Sequence, residues 1–439
     1  MTAVSDARDG RPAAGITQPD LASRWLGGSV IAASDESFGE KENLLTPAAA
    51  AFEPGHYSHR GEIVDGWETK RRREPGHDWA LIRLGAAGIV TSVEVDTSFF
   101  TGNHPESCLV EACGREGYPS PAELAEPAGW TVLVPRSPLA ADTRNMFGVT
   151  DPCRYTHLRL SIFPDGGVAR LRAHGHVVPD PRQLDGLTID LASERHGGAV
   201  VASSDDFYTS ARLLNRPDTA RSMGEGWETR RRRDGGPDHV VIRLAFPGHV
   251  RQLIVDTAHF KYNASAEIAV QACGEGRTAG DIRASAAAGS AGPEPAPPTG
   301  SPDWAPLLGR TRLQPDTRHV LTVPAAGGGQ PVAAIRLDAF PDGGISRLRV
   351  IGCISPEARR RAGYRWLNSL PAGQALRCLA DAGLPADLAA AVAGQRPLAG
   401  HWLEDLREEP GSVRPGRMPA GAIRILTAML AGPPADSPG

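Results

Sequence analysis

Residues 66–73 read GWETKRRR and residues 226–233 read GWETRRRR. A match of this length inside one chain means that one structural unit was used twice. Working outward, the same offset of 160 aligns IRL at 82–84 with 242–244, VDT at 95–97 with 255–257, and Ala112-Cys113 with Ala272-Cys273. Upstream, SVIAAS with Asp35 answers AVVASS with Asp205; downstream, Trp130 answers Trp304, DTR at 142–144 answers 316–318, and FPDGG at 163–167 answers 340–344. The offset changes only between motifs, where loops absorb insertions cheaply. Cys113 to Trp130 spans 17 residues and Cys273 to Trp304 spans 31, so the second copy carries 14 more. That Ala/Gly/Pro/Ser-rich stretch, about 276–303, is expected to be a disordered loop, and residues 1–20 a disordered N-terminus.

Within one copy, SVIAAS, DWALIRLG, IVTSVEVDTS, SCLVEACG, WTVLVP, THLRLSIFP and VARLRAHGH are short runs of strand formers, several alternating apolar with polar. Period-two alternation buries one face and leaves the other wet. Seven or eight such strands with turn residues between them predict an antiparallel jelly-roll β-sandwich, at 21–180 and again at 190–355. From about Pro356 the spacing of Leu, Ala and Trp turns helical, so residues 356–439 are expected to form a small α-helical appendage to an otherwise all-β chain. The 50 Gly and 38 Pro among 439 residues fit strand-joining turns.

With 51 Asp+Glu against 47 Lys+Arg, the formal net charge is −4, which argues against a partner recruited by bulk positive charge, nucleic acid or anionic membrane. No apolar stretch nears the roughly 20 residues that span a bilayer, and the N-terminus lacks a signal-peptide pattern, so a cytoplasmic, soluble protein is expected. The six cysteines lack CxxC spacing and read as free thiols.

Three polar constellations could carry chemistry. The first is DGWETKRRREPGHD, with Asp65, Trp67, Glu68, Arg71 and Arg72; guanidinium forks grip carboxylates in two places, and adjacent acids move protons. The bland alternative, a solvated basic loop, is weakened by the echo in the second copy. Next comes SDESFGEKEN, which places Asp35, Glu40 and Asn43 just after a strand, where acids can hold a metal, orient an amide or act as acid or base. The second copy loses the Glu equivalents, which makes the first copy the active one if this loop is catalytic. The third is VDTSFFTGNHPE against VDTAHFKYNASA, with Asp96, Thr97 and Asn103 in the first copy and His259 and Lys261 in the second.

Taken together, VIAASDESFGEKENLL, PGHYSHRGEIVDGWETKRRREPGHDWALIRLG and VDTSFFTGNHPESCLVEAC, with their second-copy echoes, resemble the allantoicase family over roughly residues 20–353. The resemblance implies two tandem galactose-binding-like jelly rolls, a homo-oligomer, and hydrolysis of allantoate to ureidoglycolate and urea in purine catabolism. Allantoate bears one carboxylate and two ureido groups on one carbon. Arg71 or Arg72 would grip the carboxylate, Glu68 or Glu40 would act as base or acid with Asp35 as a further catalytic acid, and Asn43, Asp96 and Asn103 would orient ureido groups, with Asp65, Trp67, Thr97, His259 and Lys261 also binding substrate. No cofactor is assigned; a divalent metal ion stays open, with no His-rich ligand set in view. In the tail, RWLNSLP at 365–371 and QRPL at 395–398 resemble the first helices of the ureidoimidazoline decarboxylase family without its catalytic His-Pro segment. That implies a docking appendage for other ureide-pathway enzymes, not a second active site. The competing class is a non-catalytic carbohydrate-binding pair of modules, against which stand an aromatic content of 5% and the charge of the repeated positions.

Overall fold

The computed structural model describes residues 18–58, 61–63, 65–125, 129–233, 236–276, 304–323, 330–408 and 418–433. The stretches expected to be disordered, 1–20 and 276–303, lie outside the described residues except for 18–20 and 276. Two compact units emerge. The first runs to Pro179 and takes in Trp366–Pro397; the second comprises Asp180–Arg365 and the residues from Leu398.

Each unit is an antiparallel β-sandwich built around one long strand. In the first this is Asp78–Asp96, 19 residues that join the two runs DWALIRLG and IVTSVEVDTS, which the sequence reading treats as separate strands. The chain bends between them instead of turning. Pairing with Arg154–Phe163 goes from Arg83↔His157 to Gly88↔Tyr155, five residues against two, so three extra residues are absorbed as an irregularity. A Cβ on Gly88 would lie 2.3 Å from the His176 carbonyl oxygen, which is why glycine stands at the bend. Before the bend the strand pairs with Ser29–Ala33 and Arg154–Phe163; after it, with Arg144–Gly148 and Arg170–Val177. One strand therefore serves both layers, and Val30, Ile82, Val93, Val110, Leu158 and Leu171 fill the space between them. The second unit repeats the plan: Asp238–Asp256 is again 19 residues, and the slip from Arg243↔Ala334 to Gly248↔Val332 is the same.

Two buried arginines tie a loop to each sandwich. Arg170 donates from Nε to the Ala48 carbonyl (3.0 Å), from Nη1 to the Asp65 and Ala169 carbonyls (3.0 and 2.7 Å), and from Nη2 to Asp65 Oδ2 (2.5 Å). Arg347 does the same in the second unit, reaching the Asp218 carbonyl and carboxylate, the Glu225 carbonyl and the Ser346 carbonyl. Both are buried, and burial is tolerable because every guanidinium nitrogen donates to an oxygen.

The segment after Pro356 is helical, as expected, and it contributes to both units. In the first, Gln374 of the helix Ala372–Asp381 donates to Glu116 (2.9 Å), which also pairs with Arg154 (2.5 Å). In the second, Arg359 of the helix Pro356–Ser369 grips both oxygens of Asp185 and the carbonyls of Met429 and Leu430. No disulfide joins any of the six cysteines. Among the described residues, no helix is long and apolar enough to cross a membrane.

Replacing Arg170 with Met leaves the Asp65 carboxylate and the carbonyls of Ala48, Ala49, Asp65 and Ala169 without this donor. Calorimetry of this variant is expected to show the first unit losing about 3–5 kcal/mol, a fall in Tm of roughly 10 °C. An unchanged melting profile would remove Arg170 from this role.

Candidate active site

The GWET motif becomes a two-residue strand, Trp67–Glu68, paired with Gly167–Val168 of the FPDGG turn region. Its register is set from inside. Trp67 is completely buried, and its Nε1 donates to the Asp35 carbonyl (2.8 Å). Adjacent strand residues point to opposite faces, so burying Trp67 turns Glu68 outward. On its other edge Glu68 bridges Gly39, whose N–H and that of Phe38 both donate to the Glu68 carbonyl (3.1 Å each).

Outward-facing Glu68 meets Asn103, whose Nδ2 donates to Glu68 Oε1 at 2.7 Å. Burial drives the Glu68 carboxyl above the ordinary range, and the Asn103 hydrogen bond opposes that shift without cancelling it. The Asn103 loop is held from behind. Thr97 Oγ1 donates to the Ala140 and Thr143 carbonyls (2.7 and 3.0 Å), the Asp142 carboxylate accepts the N–H of Phe99 (2.9 Å), and Phe99 itself takes φ 70°. The second unit repeats these contacts: Trp227 Nε1 donates to the Asp205 carbonyl (2.9 Å), Asn263 to Glu228 (2.7 Å), the His259 N–H to Asp316 (2.7 Å), and His259 takes φ 70°. A strained conformation held at equivalent positions of both copies belongs to the loop's design.

The other expected site residues divide by position. Trp67, Asp96 and Thr97, expected beside the substrate, are buried and hold the fold: Asp96 Oδ1 accepts the Ser98 N–H (2.8 Å). Asp35, expected among the catalytic acids, is committed to its own loop. Burial works against its ionisation, but the N–H groups of Lys70 and Ser37, the Ser37 hydroxyl and the Lys70 ammonium outweigh it and hold the carboxyl below its ordinary range. Asp65 is paired with Arg170, Arg72 with Asp78 (2.8 Å), and Asn43 donates to the Gly66 carbonyl (3.1 Å). Glu40 is exposed, one residue beyond Gly39. Arg71 is exposed three residues beyond Glu68, and no described residue pairs with it. His259 and Lys261 lie in the second unit's loop with Asn263, so they accompany Glu228; His259 Nε2 is 3.0 Å from the Ala220 carbonyl oxygen.

Sequence reasoning passed over Arg170 and Asp78. Both were visible as repeats, in the RLR after FPDGG and in the Asp that opens the longest strand, but nothing in the sequence alone distinguishes a buried clamp from a surface charge. Among the described residues, no three His, Cys, Asp or Glu side chains converge as a metal-ligand group.

Two sandwiches from one duplicated unit, each presenting a glutamate braced by an asparagine, define a two-repeat β-protein with an acid at its strand end. Comparison with known proteins assigns it further. The family model described as the allantoicase repeat matches residues 19–178 and again 189–355. A probable allantoicase of Streptomyces coelicolor is 43% identical over 358 residues, covering 79% of this chain and 88% of that protein. One of Nocardia farcinica is 45% identical over 340 residues, covering 77% and 95%. The crystal structure of allantoicase from Saccharomyces cerevisiae superposes with a TM-score of 0.61 at 32% identity, covering 77% of this chain and 94% of that one. The chain belongs to the allantoicase family and is a hydrolase; the carbohydrate-binding alternative is not favoured.

A glutamate whose folded-state pKa is raised contributes most to stability when protonated, below its unfolded value, and that contribution is lost as pH rises through the folded value. Glu68→Gln, which keeps the Asn103 contact and removes the charge, is therefore expected to melt higher than the native protein at pH 7.5, with the difference vanishing near pH 4. A lower Tm at pH 7.5 would contradict the raised value.

Proposed function

We propose that this chain hydrolyses allantoate to ureidoglycolate and urea at the first repeat, with Glu68 as the group that protonates the departing urea. The observation that carries this is the Glu68–Asn103 pair: a carboxyl raised by burial holds its proton to higher pH than a free glutamate does, which suits an acid. In the reaction the C–N bond to one ureido group breaks, water supplies the hydroxyl that replaces it, and the leaving nitrogen takes a proton. Exposed Glu40, next to the residue bridged to Glu68, receives the proton lost by water. Arg71, which has no described partner, grips the substrate carboxylate through its planar fork. Asn103 positions Glu68 and tunes its proton affinity. Arg72 serves by holding Asp78, so Arg71 takes the carboxylate.

The second repeat departs where the chemistry would need it. Ser210 stands in place of Glu40, the Thr209 hydroxyl accepts the Glu228 N–H (2.7 Å), and Met223 Sδ lies 3.3 Å from the Asn263 amide. The reading carries with it a cytoplasmic homo-oligomer whose helical tail is open to other ureide-pathway enzymes.

Urea release from allantoate by the purified chain, with and without chelator, tests the activity and its metal dependence together. Glu68→Gln is expected to lower kcat by about 10²–10⁴-fold, whereas Glu228→Gln stays within about threefold of native, the order of a change outside the reacting groups. Native turnover in Glu68→Gln would remove the assignment.

A further inference from the structure

The arginine run of the second repeat lines an open cavity of about 610 Å³, together with Ser204, Asp205 and Asp238. Its size falls in the range of small-molecule sites. Four guanidiniums face two carboxylates there, and two of the four are spoken for. Arg232 donates to Asp238 Oδ1 (3.1 Å) and to the Pro237 carbonyl (2.6 Å); Arg230 pairs with Asp205 (3.1 Å) and lies 4.5 Å over the Phe207 ring. Arg231 and Arg233 are exposed, and neither makes a hydrogen bond or ion pair with a described residue, although the Asp342 carboxylate, which accepts the Arg232 N–H (3.1 Å), acts on Arg231 electrostatically. Asp238, 2% exposed, takes the Ser204 hydroxyl on Oδ1 (2.7 Å), while its buried Oδ2 accepts from nothing. A buried carboxylate oxygen without a donor is uncommon and calls for one. The lining is thus short of two things at once, an anion for Arg231 and Arg233 and an N–H for Asp238.

We propose that this cavity is a second, non-catalytic binding site for a small ureido carboxylate. The ligand's carboxylate lies between Arg231 and Arg233, and its ureido N–H reaches Asp238 Oδ2. The first repeat shows the same pattern, with Arg71 and Arg73 exposed and unpartnered among the described residues and with Asp78 Oδ2 buried and unpartnered. Duplication would thus have kept the binding chemistry in a repeat that has lost Glu40. The class of ligand rests on the proposed function, whose substrate and product are both ureido acids; the demand for an anion and an N–H does not.

Titration calorimetry of the full chain with N-carbamoylglycine, a carboxylate bearing a single ureido group, tests the site. The Arg231→Ala/Arg233→Ala double variant is expected to lose one binding site from the native count, or to bind there at least about tenfold more weakly, while urea release at saturating allantoate stays native. Asp238→Asn is expected to lose the native preference for N-carbamoylglycine over acetate. Unchanged stoichiometry and affinity in the double variant would overturn the proposal, as would acetate or inorganic phosphate binding the native chain as tightly as N-carbamoylglycine, which marks a plain anion patch. If the site behaves as expected but urea release does not depend on Glu68, the catalytic reading falls and this one stands.

Discussion

Everything at the candidate site follows from the burial of one indole. Trp67 fills the interior of the first sandwich and spends its only donor on the Asp35 carbonyl. That fixes both the depth and the rotation of a strand only two residues long, which could not hold a register by its own hydrogen bonds. With the strand pinned, Glu68 has one direction left, and the Asn103 loop is already waiting there, held by Thr97 and Asp142. Trp227 does the same for Glu228.

Duplication separates what the fold requires from what the chemistry requires. The buried arginines, the threonine ties, the left-handed residues at 99 and 259 and the slip in the long strand are present twice. They are needed wherever this sandwich folds. Glu40, by contrast, is present once, and Thr209 and Met223 occupy the surroundings of the second glutamate. A raised carboxyl is a cost to the folded state at neutral pH, and such a cost is kept where a reaction uses it.

Much of this was legible in the sequence. The repeat, the sandwich class and the helical tail follow from self-similarity and from the change of apolar period at Pro356, and Glu68 and Asn103 both stand in the repeated polar motifs. What the sequence could not separate was facing from supporting. Trp67, Asp96 and Thr97 lie in the same motifs as Glu68 and Asn103, yet alternation along a strand and tight turns bury them, and Asp35 and Arg72 are consumed by local partners. The merging of DWALIRLG with IVTSVEVDTS was hidden because Gly85 and Gly88 read as a turn, whereas the chain uses Gly88 to let a neighbouring carbonyl approach a continuous strand. The tail's division between two units left no trace in helical spacing, which reports a buried face but not what covers it.

The pH dependence of kcat/KM for urea release, compared between the native chain and Asn103→Ala, bears most directly on the claim that Glu68 is the acid and Asn103 its tuning partner. Activity that depends on protonated Glu68 falls as pH rises through its pKa, and kcat/KM reports that value in the free enzyme. Asn103 holds the value down, so its removal should move the falling limb to higher pH. A limb that stays in place, or moves to lower pH, would contradict the account.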